Sequence, residues 1–196
     1  MDDSVHIDVT IEGVTPLLCN RFTDEAQLKA SAGSSSAFNT GESGTPREQA
    51  EPKLYVHEGV IGIPQPNLLR CFIDAGKYFK SGRSKITTQK SSIIPSCVDI
   101  MGVHLPLRYE QPWEVDTRPI RNPATGGRRL AHRPMFNDWA LDITVELDTE
   151  LINAKLFREI VDVAGKRIGL GDFRPDNKGP FGKFVVTAWE VKKNGE

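Results

Sequence analysis

Two stretches of this chain alternate strictly between apolar and polar residues, and they restrict its fold more than any other feature. In VHIDVTIEG, Val5, Ile7, Val9 and Ile11 alternate with His6, Asp8, Thr10 and Glu12; in WALDITVELD, Leu141, Ile143, Val145 and Leu147 stand between polar residues in the same way. A period of two puts all the apolar side chains on one side of an extended chain, so each stretch predicts a strand with one buried and one wet face. Two helical patterns are available to cover the buried side. NLLRCFIDAGKYFK, introduced by Pro64 and Pro66, places Leu69, Phe72, Ile73 and Gly76 on one helical face. TELINAKLFREIVDVAGKRIG does the same with Ile152, Leu156, Ile160, Val163 and Ala164, and ends on Lys166 and Arg167, where the helix dipole favours cations.

IIPSCVDIMGVHLPL and KFVVTAWEVKK predict two more strands, and KLYVHEGVIGIP a short hairpin. With insertions set aside, the order is strand, helix, strand, strand, helix, strand. That is the α+β, ferredoxin-like βαββαβ arrangement: a four-stranded antiparallel sheet with both helices on one face. Residues 1–196 then form a single domain with two insertions. The first, 23–52, contains ASAGSSSAFNTGESGTPREQAEP, which cannot bury enough apolar area to offset the entropy of ordering, and predicts a mobile segment. In the second, 108–138, NPATGG is a turn signal between extended flanks, so a protruding hairpin is expected between strands two and three.

That second insertion dominates the charge distribution. The net charge is -1, but from Thr117 to Asn137 there are five arginines and neither lysine nor acid, so the segment carries +5 and the remainder -6. Such asymmetry points to an anionic partner. The arginines (Arg118, Arg121, Arg128, Arg129, Arg133) are interleaved with Ile120, Leu130, Met135 and Phe136. Guanidinium forks pair with phosphate oxygens and their planes stack on bases, so the mixture suits single-stranded nucleic acid. A solvated hairpin, or one gripping an acidic face in an oligomer, is the competing explanation. His132 fits a contact to the strand better than a lone catalytic base. If all five arginines met phosphates, log K would fall with log salt at a slope of about -3.5.

GLGDFRPDNKGPFGKF follows a helix and precedes a strand, the reverse of a nucleotide-binding phosphate loop. Its first glycines read as a helix cap and a close-packed strand entry, which leaves Arg174, Lys178 and Lys183 as a second anion-contacting set, with Phe173 as a stacking candidate. Arg70 and Lys77 are placed on one side of the helix that starts near Asn67, whose free amides suit a phosphate; an ordinary packed helix with solvated charges is the slightly favoured alternative. Asp24 and Glu25 beside Arg21 read as the solvated start of the insertion rather than a metal site. No cofactor and no metal are expected: Cys19, Cys71 and Cys97 lack any CxxC spacing and read as buried, reduced thiols. The chain has no apolar run of membrane-spanning length and an acidic N-terminus, so a cytoplasmic location without membrane attachment is expected.

These pieces resemble the RAMP superfamily, the RNA-binding proteins of CRISPR effector complexes, and specifically the crRNA-binding backbone subunit. IEGVTPLLCNRF resembles the first strand and its exit, IPQPNLLRCFIDAGK the proline-led start of helix one, and GLGDFRPDNKGPFGKF the glycine-rich loop before the last strand. The hairpin insertion occupies the place of that subunit's thumb. RPMFNDW with GLGDFRP also resembles stand-alone phage proteins. The resemblance implies a non-enzymatic protein that self-assembles along RNA or, less readily, single-stranded DNA, through Arg21, Arg70, the five hairpin arginines, His132, Phe136, Phe173, Arg174, Lys178 and Lys183. PQPN in place of a glycine-serine step, and the lack of a catalytic aspartate in the first loop, argue against RNA cutting. A phage assembly protein and a metal-independent RNA-processing nuclease using His132 are the alternatives.

Overall fold

The first alternating stretch becomes a ten-residue strand flanked on both sides by longer-range partners, and its register organises the core. The computed structural model describes residues 4–31, 44–121 and 126–193. Its strands are β1 (Ser4–Gly13), β2 (Leu17–Leu18), β3 (Val56–His57), β4 (Val60–Pro64), β5 (Lys80–Ser81), β6 (Ser84–Lys85), β7 (Val98–Ile100), β8 (His104–Pro106), β9 (Glu114–Arg121), β10 (Arg128–Phe136), β11 (Ala140–Asp148) and β12 (Phe184–Lys193). The helices are α1 (Asp24–Ser31), α2 (Pro46–Ala50), α3 (Gln65–Ala75), α4 (Ile94–Cys97) and α5 (Ala154–Val163), the last running on into a wider turn over Ala164–Ile168.

The main sheet has the order β12-β1-β11-β7, with each neighbouring pair antiparallel. In register, Ile7 faces Val145 and Val9 faces Ile143, so the apolar sets of both alternating stretches fall on the same side. Against that side α3 buries Leu68, Cys71, Phe72 and Ala75, and α5 buries Phe157, Ile160 and Val161. Phe72 and Phe157 meet edge to face with ring centroids 5.6 Å apart. Of the stripes read off the sequence, Phe72, Gly76, Ile152, Ile160 and Ala164 are buried, while Leu69, Ile73, Leu156 and Val163 pack half-buried at the margin of the core. The small side chains Cys71 and Ala75 face inward because α3 closes tightly on the end of α5: the Cys71 thiol donates to the carbonyl of Gly169 at 3.3 Å. All three cysteines are free and buried, and burial pushes the Cys19 thiol up to about 12 and that of Cys97 to about 11.

Two other expectations are corrected. The stretch expected as one long strand from Ile93 to Leu107 divides into the helical turn α4, with Pro95 in its first turn, then β7, then β8, which pairs with β4 outside the main sheet. The insertion expected to lack structure carries α1 and α2; residues 32–43 lie outside the described residues, as do 122–125 of the hairpin turn. The helix α2 has a capping box, Thr45 accepting from the Glu48 amide while the Glu48 carboxylate accepts from the Thr45 amide, and it buries Ala50. This segment holds the hairpin in place. The Arg47 guanidinium lies 4.0 Å from the centre of the Trp113 ring, and Lys53 Nζ donates to the His132 carbonyl at 2.9 Å.

The open side of the main sheet is polar and mostly acidic. Across the strands Asp8 stands opposite Glu190 and Thr144, and Glu146 opposite His6 and Asp99. Lys192 donates to Asp8 and Arg108 to Asp142, and the hydrogen bonds from Lys192 and Thr144 hold the Asp8 carboxyl below its ordinary range. Among the described residues no helix is long and apolar enough to cross a membrane.

Candidate nucleic-acid interface

The glycine-rich segment is a rigid platform. Its backbone is tied to the exit of β1 by Asp172 N to Leu18 O (2.8 Å) and Gly182 N to Pro16 O (2.8 Å), and closed on itself by Leu170 N to Gly182 O (2.9 Å). Gly171 and Gly182 hold positive φ where a Cβ would meet a carbonyl oxygen at 2.4 Å and 1.8 Å, so close approach of backbone to backbone demands glycine at both. Phe173 and Lys178 also adopt left-handed conformations, at φ 48 and 60. Non-glycine residues held there are sparse, and such strain clusters at binding sites. Phe173 is exposed on the platform, with its ring centroid 6.1 Å from that of Phe181.

The hairpin of β9 and β10 docks on this platform through two of its arginines. Arg133, whose side chain is only 12% exposed, brings Nε to 2.6 Å from Oδ2 of Asp172, an ion pair without hydrogen-bond alignment. Arg118 donates to Asp116 at 2.8 Å and lays its guanidinium 4.8 Å from the centre of the Phe181 ring. Five unbalanced arginines therefore become three, because Asp116 lies one residue outside the basic segment and Asp172 is distant in sequence. The three are Arg121, Arg128 and Arg129, all exposed and without an acid partner among the described residues. Arg121 and Arg128 are direct cross-strand neighbours. Like charges placed opposite each other on a ladder are destabilising, and an anion between them relieves the repulsion.

Beside the platform lies a cleft of about 220 Å³ lined by Asn20, Tyr55, Asn67, Arg70, Cys71, Asp172 and Arg174 together with the backbone of Gly169–Gly171. The N-terminus of α3 supplies Asn67 and Arg70; the platform supplies Arg174, which donates to the Gly171 carbonyl at 3.2 Å. Arg70 is paired with Asp74 at 3.0 Å but its side chain stays 69% exposed, so its remaining donors are open. Asp172 joins the two surfaces, accepting from Asn20 at 3.1 Å on the cleft side while pairing with Arg133 on the hairpin side. Replacing Arg133 by Met is expected to loosen this join. In a double-mutant cycle with Asp172→Asn, urea unfolding should give a coupling of about 1 kcal/mol or more; additive single losses would mean that no such latch exists.

The remaining residues singled out by sequence divide clearly. Lys178 is exposed on the platform and Lys183 is half-buried at its end. Arg21 pairs with Asp24 at 3.0 Å and faces the Pro52 carbonyl, which makes it a brace for the insertion. Two expectations are overturned by burial. His132 is 7% exposed, with Nδ1 bonded to Thr117 Oγ1 at 2.8 Å, so its ring is not presented on the hairpin surface. Phe136 is 1% exposed and packs against Tyr109, so it has no face free for a base. Asn20, Tyr55 and Asp172 went unnoticed in the sequence, because uncharged or acidic residues scattered over 150 positions give no local signal, whereas the helix start near Asn67 was visible there.

No protein-family model matches the chain, and no curated protein matches it in sequence. Among solved structures, a chain of the Type III-B Cmr-beta complex, determined by cryo-EM bound to cognate target RNA, is similar in fold, with a TM-score of 0.58 at 13% identity. The likeness covers 97% of this chain and 61% of that one, so the protein spans about three fifths of the length of its structural relative.

Proposed function

We propose that the protein binds single-stranded nucleic acid, RNA in preference to DNA, as a non-enzymatic repeating subunit of a ribonucleoprotein assembly of the CRISPR backbone type, with a stand-alone phage-encoded relative as the other setting for the same chemistry. Its core is then the ferredoxin-like unit of the RAMP superfamily, with the β9–β10 hairpin as its thumb. The observation that carries this reading is the hairpin tip, where Arg121 faces Arg128 beside Arg129 with no acid among the described residues. An idle surface has no reason to keep that repulsion. Fold similarity to a chain of an RNA-bound complex supports it, as does the join of hairpin and cleft through Asp172.

The strand would cross the hairpin tip and the platform, with Phe173 available for stacking, an interaction worth about 1 to 3 kcal/mol per base. The open sheet face, dominated by carboxylates, repels phosphate and is left to neighbouring subunits. Fluorescence anisotropy with single-stranded RNA, single-stranded DNA and duplexes tests the proposal, together with particle size against RNA length. Salt-sensitive binding to single strands and particles that lengthen with the RNA are expected. Absence of binding at low salt would overturn it, and oligomers that survive nuclease treatment would favour an assembly protein whose hairpin meets the acidic sheet face of the next copy.

A further inference from the structure

The segment after α3 carries a second concentration of positive charge. From Lys77 to Cys97 there are five cations (Lys77, Lys80, Arg83, Lys85, Lys90) and no acid. The segment is anchored rather than loose: Ile86 is 1% exposed, Thr87 Oγ1 and Ser92 Oγ lie 2.8 Å apart, and the turn between them is closed by Thr88 N to Ser91 O at 2.8 Å. Packed alongside α3, it forms a groove of about 760 Å³ lined by Arg70, Asp74, Lys77, Lys85, Thr88 and Lys90, among others. Arg70 lines this groove and the platform cleft alike, so the two adjoin at its side chain.

The acids near the groove are already engaged, Asp74 with Arg70 and Asp176 with Lys77, each at 3.0 Å. Lys85 and Lys90 are exposed and have no acid partner among the described residues. Ammonium groups and hydroxyls along an open channel suit a chain of phosphates: lysine contacts phosphate as a point charge without reading the base. We infer that this groove is a second backbone-binding segment, over which a strand leaving the cleft at Arg70 continues past Lys85 and Lys90. The inference rests on the nucleic-acid reading above and lengthens the footprint of one subunit.

The test compares the intact protein with a Lys85→Ala/Lys90→Ala variant on a length series of oligouridines. Both side chains are exposed, and equal melting temperatures would verify that the fold is kept. Two lost single-strand phosphate contacts should flatten the salt dependence of log K by about 1.4 on long oligomers, while the shortest oligomers bind both proteins alike. An unchanged slope on long oligomers, with the unaltered protein binding well, would remove the groove from the path and leave the hairpin reading standing. A loss of equal size at every length would also overturn it, since that is the mark of a general field rather than added contacts. If the unaltered protein binds no oligomer, both proposals fall.

Discussion

Replacing Arg121, Arg128 and Arg129 together with alanine is expected to flatten the salt dependence of nucleic-acid affinity by about two units of log K per log salt. Each phosphate contact to a single strand contributes roughly 0.7 to that slope through counterion release, and these three are the hairpin arginines left without an acid among the described residues. Arg118→Ala is the informative control. Its guanidinium already donates to Asp116 and covers Phe181, so its loss should change stability more than slope. Anisotropy titrations over a range of salt concentrations measure both variants. Equal flattening by Arg118→Ala and by any single tip arginine would mean that the ion pairs do not separate the two groups, and an unchanged slope in the triple variant would remove the tip from the interface.

The largest loss of stability is expected from Gly182→Ala. A left-handed conformation costs a non-glycine residue about 1 to 3 kcal/mol, and here the added carbon would also sit 1.8 Å from the Leu170 carbonyl oxygen. The loop cannot drift to relieve the overlap, because Gly182 donates to Pro16 and accepts from Leu170. A total of about 3 kcal/mol or more is therefore expected, at the high end for a single substitution. Gly82, at φ 61 with open space around its Cβ position, isolates the conformational part. Gly82→Ala should cost only about 1 to 2 kcal/mol. Urea unfolding of the two variants checks the difference, and equal losses would show that the platform yields where the hydrogen bonds say it is fixed.

Both results depend on features that differ in how visible they are in the sequence. The alternation in β1 and β11 marked two central strands and their buried faces correctly, because a period of two is a property of the strand itself and needs no knowledge of the partner. The helices α3 and α5 were legible from their own periodicity, although the buried stripe of α3 extends to Cys71 and Ala75, whose facing depends on how closely another helix approaches. The hairpin was legible from its turn signal, but His132 and Phe136 were assigned to its surface. The segment 23–52, which composition alone marked as mobile, carries α2 and leads directly to Lys53, which bonds the His132 carbonyl, and the capping box at Thr45 and Glu48 was the local sign of that order.

The sequence by itself determined the two central strands, the two long helices that cover them, the position of the basic hairpin and the excess of charge upon it. Only the tertiary structure decided which of those charges are free. Periodicity is local and is written in neighbouring residues, whereas neutralisation is pairwise and reaches across the chain: Asp172 finds Arg133 only once the glycine-rich loop has folded back onto the exit of β1. The same folding carries Arg70 to the boundary of two grooves and leaves Arg121, Arg128 and Arg129 without an acid among the described residues, as no count of residues along the sequence could have sorted them.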